Sequence, residues 1–160
     1  MKGITLHQPW ASLIACGYKR FETRSWKTSY RGQLLIHAAK RFADEEGRDV
    51  VVSAFKHWKN PELPRTLRSF PYQAIVATCE LTNCIPMNEQ FINQQTDLEL
   101  LVGCWKVGRF AWQLENICPV TLISTKGYQG LWNVSENLKL NKFRLTPWRS
   151  EVTPMRPETK

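Results

Sequence analysis

The first apolar positions of the chain predict a short strand followed by a short helix. Gly3 to Leu6 has the composition of a β segment. Pro9 then stands where a helix places its first residue, and Gly17 marks the end of that helix. The apolar residues that recur at helical spacing between them are Trp10, Leu13 and Ile14. We therefore expect a helix of about two turns directly after the first strand.

From Lys19 to Trp26 the pattern changes to alternation, which predicts a second strand. Phe21 and Thr23 fall on one face of it, whereas Arg20, Glu22, Arg24 and Trp26 fall on the other. Glu22 and Arg24 are thus neighbours on one side. Strict alternation places Lys19 with Phe21, away from Glu22, so only a bend before the strand brings the two charges together.

The remaining pattern predicts a mixture of strands and helices. The further strands are predicted at Gln33 to Ala38, Tyr72 to Thr82 and Arg109 to Ile117. The helices are predicted at Phe42 to Trp58 and at Asn88 to Leu101, with a proline-rich loop from Asn60 to Pro71. Gly127 and Gly130 flank a turn before Leu131 and Trp132. Five or six strands with short helices among them predict an α+β domain built on a small closed or half-closed β-barrel.

Length and composition are those of one ordinary globular domain. The chain has 160 residues, of which 42% are hydrophobic and 22% are charged, and this excludes a disordered, fibrous or low-complexity chain. Residues 1–138 form the predicted domain. Residues 139–160 lack apolar periodicity, and we expect them to be a flexible basic tail.

Positive charge is concentrated at the two ends of the chain. The formal net charge is +8, and residues 1–41 carry eight basic side chains against one acidic, which gives +7. Residues 42–138 sum to −3, and residues 139–160 to +4. Such an excess favours a polyanionic partner, although a solvated basic face with no partner carries the same charge.

The cysteines and the hydropathy indicate a soluble intracellular protein. The five cysteines are an odd number without a C-x-x-C pair, which is typical of reduced, packed thiols. Leu13 to Cys16 resembles a lipoprotein processing box, but polar residues and Pro9 interrupt the apolar stretch that such a box needs. No apolar run approaches a membrane span of about 18 residues. We expect a monomer in the cytoplasm, or in the nucleus of a eukaryote, that uses no membrane, cofactor or metal.

Residues 7–31 contain the densest group of side chains that could carry chemistry. Cations, one carboxylate and aromatic rings are interleaved there. Arg and Lys neutralise phosphate, planar rings stack on bases, and Gln or Glu hydrogen-bonds a base edge. The nucleic-acid-binding candidates are Gln8, Lys19, Glu22, Arg24, Trp26, Lys27 and Arg31. A basic surface in which Glu22 and Arg24 form a plain ion pair is the alternative interpretation.

Three blocks of this region resemble the ASCH domain family. They are Leu6-His7-Gln8-Pro9-Trp10-Ala11-Ser12-Leu13, Gly17-x-Lys19-x-x-Glu22-x-Arg24-Ser25-Trp26 and Tyr30-Arg31-Gly32-x-Leu34-x-Ile36. Within the family the resemblance is greatest to the C-terminal module of a nuclear-receptor coactivator. Weaker similarities follow at Gly108 to Leu114 and at Gln129 to Trp132, so the likeness covers about residues 3–134.

The resemblance implies a PUA-like β-barrel with a basic cleft beside the Lys19 to Arg24 strand, and a role in binding RNA or DNA. In this first hypothesis the module is not catalytic. Lys19, Arg24 and Arg31 hold the nucleic-acid backbone, while Gln8, Glu22 and Trp26 border a pocket for one base. Lys27 adds positive charge beside them.

Two other functions stay open. Some small bacterial members of the family are amidohydrolases of N4-acetylcytidine that use a lysine, a threonine and a glutamate. Lys19 matches the lysine, Glu22 occupies the position of the threonine, and Glu99 is a candidate for the glutamate. If the chain is an enzyme, Lys19 and Glu22 are its catalytic candidates, with Glu22 acting as a base on water. The other alternative is a protein-interaction module in a transcription or translation assembly.

Several conspicuous side chains have a simpler structural explanation. Trp10 and Trp112 lie among apolar neighbours, and we expect both in the core. For His7 and His37 we expect hydrogen-bonded structural roles beside the strands rather than metal or acid-base roles. Gln129 and its glycine-rich turn either line the cleft or pass over it.

Overall fold

A computed structural model describes residues 1–57, 63–135 and 138 of the chain, and it has an α+β fold. The strands are β1 (Lys2–Gln8), β2 (Phe21–Arg24), β3 (Gly32–Phe42), β4 (Ala74–Pro86), β5 (Phe110–Ser124) and β6 (Leu131–Asn133). The helices are α1 (Trp10–Ala15), α2 (Glu45–His57), α3 (Glu89–Asn93) and α4 (Asp97–Val102). A 3₁₀ turn covers Leu67–Ser69. The predicted fold class is therefore confirmed.

The six strands form one sheet in the order β2-β5-β4-β3-β1-β6. The pair β1 and β3 is parallel, and the other neighbouring pairs are antiparallel. Within the described residues the sheet ends at β2 on one side and at β6 on the other, so it is not closed by hydrogen bonds. The expected barrel is therefore confirmed only in part, and a seam separates its two edge strands.

Helix α1 packs against the sheet through the apolar residues that follow Pro9 at helical spacing. Residues 11–15 are all buried, and Ala11, Ile14 and Ala15 join a core with β1, β3, β4 and β5. Leu13 points instead into a second cluster with Val50 of α2 and Val102 of α4. The helix ends before Gly17, which has a φ of +77°, a backbone conformation that glycine adopts without steric cost.

A third apolar cluster covers the other face of the sheet. Its buried members are Leu35, Ile75, Val120, Trp132 and Val134. Trp132 lies against Gly3, where a Cβ atom would overlap the indole ring. Among the described helices, none is long and apolar enough to cross a membrane.

Several predicted boundaries are wrong; β5, for example, extends to Ser124 instead of ending at Ile117, and two of the others have a clear physical reason. Phe42 ends β3 instead of beginning a helix, because it pairs with Gln8 in the parallel ladder, and α2 starts at Glu45. The predicted helix from Asn88 to Leu101 is two short helices. Thr96 caps the second by accepting a hydrogen bond from the Glu99 N–H. Trp58, the basic tail at 139–160 and part of the predicted loop lie outside the described residues.

Candidate functional site at the seam of the sheet

Two adjoining depressions lie along the seam between β2 and the strands β1 and β6. The first, called here the inner cleft, has a volume of about 250 Å³. Its polar lining includes Lys19, Glu22, Thr23, Arg24 and Glu46. The second, called the outer depression, has a volume of about 570 Å³. Its lining includes Trp26, Ala39 and residues 127–130.

The two depressions share part of their walls. Thr5, His7 and Arg24 line both of them. Thr5 and His7 come from β1, whereas Arg24 ends β2 on the other side of the seam. The two hollows therefore form one continuous surface, and the incomplete closure of the sheet creates it.

Strand β2 presents two opposed charges to the inner cleft. Its residues pair one to one with β5, from Phe21 opposite Gln113 to Arg24 opposite Phe110. This register places the Phe21 ring against the rings of Phe91 and Trp105. Glu22 and Arg24 share the cleft, as the alternation predicts, and their side chains meet at 3.4 Å.

Lys19 is buried although it carries an ammonium group. Its relative exposure is 1%, and its Nζ donates to the Phe21 carbonyl at 2.6 Å and lies 3.7 Å from the Glu22 carboxylate. Burial lowers the pKa of Lys19, and the nearby carboxylates of Glu22 and Glu99 oppose this shift. The predicted bend exists, because the Lys19 N–H bonds to the Leu13 carbonyl of α1 before β2 begins.

Glu99 supports the inner cleft from behind. It is 2% exposed, and one carboxylate oxygen accepts the Arg20 N–H at 2.7 Å. The other oxygen has no hydrogen-bond partner within the described part of the chain. Burial raises the pKa of Glu99, while the hydrogen bond from Arg20 and the charge of Lys19 oppose the rise. The structure thus brings Lys19, Glu22 and Glu99 into one electrostatic group.

Gln8 is the sequence candidate whose position differs most from the expectation. Its side chain is fully buried and lines neither depression. Its amide NH₂ donates to the Pro71 carbonyl at 2.7 Å, and its amide oxygen accepts the Ser12 N–H at 3.1 Å. These bonds tie the start of α1 to the segment before β4, so neither end of the amide faces a ligand.

The other basic and aromatic candidates lie at different distances from the seam. Trp26 packs edge-on against Trp112, with ring centroids 4.6 Å apart, and the Arg24 guanidinium lies 5.5 Å from the Trp26 ring centroid. Lys27 is exposed and lines neither depression. Arg31 is also exposed, but its guanidinium folds back and donates to the carbonyls of Thr28 and Tyr30.

The histidines and the two other tryptophans have structural contacts. His37 is buried, and its Nε2 donates to the Thr125 carbonyl at 3.0 Å. His7 is exposed, with Nδ1 3.3 Å from the Arg41 carbonyl, and it also lines both depressions. Trp112 is fully buried, as expected. Trp10 packs on the second core cluster and lines the inner cleft with part of its surface.

Sequence reasoning missed Tyr128, although it named Gln129 and the glycine-rich turn as one alternative for a wall of the cleft. Tyr128 is 53% exposed in the outer depression, and its backbone N–H donates to the Thr5 hydroxyl at 3.1 Å. Gln129 lies beside it and lines the depression rather than passing over it. The loop has no periodicity, so only the glycines at 127 and 130 pointed to it.

Comparison with known proteins indicates the family to which the chain is similar. The family model described as the ASCH domain matches residues 4–145. The chain is 33% identical over 108 residues to Activating signal cointegrator 1 from Mus musculus, and equally to that from Homo sapiens. The aligned segment covers 63% of this chain and 18% of each of these relatives.

Proposed function

Because the chain belongs to the ASCH domain family, we propose that it is a nucleic-acid-binding module whose site is the seam between β2 and β1. Family membership and the similarity to a signal cointegrator support an RNA-related or interaction module. The finer proposal rests on one observation. Arg24, whose guanidinium is partly open to solvent, lines both a base-sized cleft and a depression walled by aromatic rings.

The inner cleft has the chemistry of a pocket for one base. The Glu22 carboxylate is an acceptor for the amino group of a base edge, and Glu46 adds a second carboxylate at the rim. Trp10 offers an apolar wall. Since Glu22 is already paired with Lys19 and Arg24, its orientation is fixed before a ligand arrives.

Arg24 is the residue best placed to bind a phosphate. Its side chain is 28% exposed, so that part of the guanidinium is open to solvent while one nitrogen faces Glu22. A guanidinium offers five N–H donors, which leaves donors free for a phosphate oxygen. Lys27 and Arg31 lie outside the walls and contribute long-range attraction. Lys19 acts indirectly in this proposal, by holding Glu22.

Direct binding measurements test the proposal. Fluorescence anisotropy of the 160-residue chain with a labelled 12-nucleotide single-stranded RNA, at 50 and 300 mM salt, is expected to show binding that weakens steeply with salt. Duplex DNA of the same length serves as the second probe. Absence of binding to both probes at the lower salt would overturn the proposal.

The group of Lys19, Glu22 and Glu99 favours a second candidate, an amidohydrolase of a modified nucleoside. A buried lysine with a lowered pKa beside two carboxylates is an arrangement suited to proton transfer. The reaction would add water across the amide of N4-acetylcytidine and release acetate and cytidine. Incubation with this nucleoside, followed by absorbance, tests it. No turnover, or turnover that persists in Lys19→Met, would exclude it.

A further inference from the structure

We propose that the outer depression is a stacking site for a second base, so that the ligand is a single-stranded nucleic acid of at least two nucleotides. This inference rests on the proposed function, because it extends the same seam. The inner cleft alone would hold one base. The outer depression adds a second base, which is bound beside the first.

The walls of the outer depression have the composition of a stacking site. Tyr128 is 53% exposed there, and Trp26 lines the same depression. The depression is also larger than the inner cleft, about 570 against 250 Å³. Every base has a π face that stacks on an aromatic ring, so such a site tolerates any sequence.

Cations accompany both rings. The Arg24 guanidinium lies 5.5 Å from the centroid of Trp26, and the Lys126 ammonium lies 5.7 Å from that of Tyr128. Arg24 lines both depressions, which places it between the two proposed base positions. The phosphate that joins two successive nucleotides also lies between their bases. A dinucleotide therefore matches the order base, phosphate, base along the seam.

The loop that carries Tyr128 is held in place before any ligand binds. The Thr5 hydroxyl accepts two hydrogen bonds, from the Tyr128 N–H at 3.1 Å and from the Trp132 indole N–H at 3.2 Å. The Tyr128 ring also packs against Trp132, with centroids 5.6 Å apart. A ring that is already fixed loses little conformational entropy when a base stacks on it.

Gly127 allows this docking. A Cβ atom at residue 127 would overlap the His37 ring and the Thr5 hydroxyl, so only glycine lets the loop lie this close to β1 and β3. His37 closes the contact by donating to the Thr125 carbonyl. Loop and sheet thus form one preorganised wall.

A double helix does not satisfy this arrangement. Within a duplex each base is paired and stacked on its neighbours, and its faces are inaccessible to protein rings. Two bases that enter two depressions must be unpaired and unstacked from each other. The inference therefore favours single strands over duplexes of the same sequence.

The test compares ligands of increasing length on the full 160-residue chain. The probes are cytidine 5′-monophosphate, the dinucleotides CpA and dCpdA, a single-stranded RNA 12-mer and a 12-base-pair duplex, each measured by calorimetry or by competition. We expect CpA to bind about tenfold more tightly than the mononucleotide, from one added stack. The comparison of CpA with dCpdA shows whether the site prefers a ribonucleotide or a deoxyribonucleotide of the same base sequence.

Two substitutions locate the second base. Tyr128→Ala is expected to reduce CpA affinity to the level of the mononucleotide, whereas Tyr128→Phe keeps the ring and the CpA affinity. Because Tyr128 is exposed, removal of its side chain leaves the core intact. Gly127→Ala is expected to reproduce the loss by displacing the loop.

The results that would overturn the inference are distinct from those that overturn the proposed function. Equal affinity for CpA and the mononucleotide, equal affinity for duplex and single strand, or an unchanged CpA affinity in Tyr128→Ala would each reject the second base site alone. If neither the RNA 12-mer nor the duplex binds, the proposed function itself is rejected.

Discussion

The buried ammonium of Lys19 lies 3.7 Å from the carboxylate of Glu22 at the base of the inner cleft. Arg24 contacts the same carboxylate from the open side, at 3.4 Å. Two cations of the basic N-terminal segment therefore share one acid, and the inner cleft is less positive than the sequence suggests. Of the lysine and arginine side chains that line the inner cleft, Arg24 is the one open to a phosphate, whereas Lys19 is buried.

Replacing Arg24 with glutamine should weaken RNA binding about tenfold, since one charge-assisted hydrogen bond is worth at least 1.4 kcal/mol. The slope of log affinity against log salt should fall by about one, because one fewer counterion is released. Anisotropy titrations at four salt concentrations measure both. Arg68→Gln is the matched control, because Arg68 is exposed and lines neither depression. If Arg68→Gln reduces RNA affinity as much as Arg24→Gln does, the effect is one of overall charge and not of a phosphate contact at Arg24.

The pair of Lys19 and Glu22 should be strongly coupled in stability. Glu22→Gln leaves a buried ammonium without its nearest counter-charge, and we expect the free energy of unfolding to fall by about 3 kcal/mol. Lys19→Met should cost less, since Glu22 keeps Arg24 as a partner. Urea unfolding of both variants and of the double variant gives the coupling energy. If the two losses are simply additive, the contact contributes nothing to the fold.

Gln8 should matter for stability and not for binding. Gln8→Met keeps the volume but leaves the Pro71 carbonyl and the Ser12 N–H unpaired inside the protein, at an expected loss of about 3 kcal/mol. The RNA affinity of the folded variant should equal that of the wild type. Gln33→Met, at an exposed position, is the control for the substitution itself. A large change in affinity at unchanged stability would restore Gln8 to the binding surface.

Acid should destabilise the protein through His37. Burial lowers the pKa of His37 below its ordinary value of 6.5, so the unfolded chain binds this proton more readily than the folded chain. Stability from this group is therefore complete above about pH 6.5 and decreases as the pH falls through that value. Between pH 7.5 and pH 5.5, the midpoint temperature of thermal unfolding should fall further for the wild type than for His37→Gln. The reverse order would mean that the protonated ring is the stabilised form.

Strand alternation predicted the part of the site that depends on local geometry. The shared face of Glu22 and Arg24 follows from the two-residue period of β2. Alternation alone puts Lys19 on the opposite face, and the bend that brings it to Glu22 was only a condition in the sequence analysis. Gln8 could not be placed, because a polar residue beside proline gives the same pattern whether it binds a ligand or caps a buried helix start. Tyr128 could not be found either, since Thr5 and His37, which dock its loop, are far away in sequence.

The boundaries of the elements depended on pairing rather than on pattern. Phe42 belongs to β3 because it pairs with Gln8 of β1. The predicted helix divides in two because Thr96 caps the N-terminus of α4. The α+β class was predictable from the mixture of short strands and helices. The seam was not, because closure of a sheet depends on the position of its last strands.

The one-to-one pairing of β2 with the first residues of β5 makes the site sensitive to changes in length nearly 90 residues downstream. One residue inserted between Phe110 and Gln113 would offset this register and turn Glu22 and Arg24 away from the cleft, although no residue of the cleft had been altered. An insertion near Asn116 would meet a ladder that is already irregular, with a φ of +50° there. Among related chains, insertions and deletions should therefore accumulate in the second half of β5 and be rare in the first.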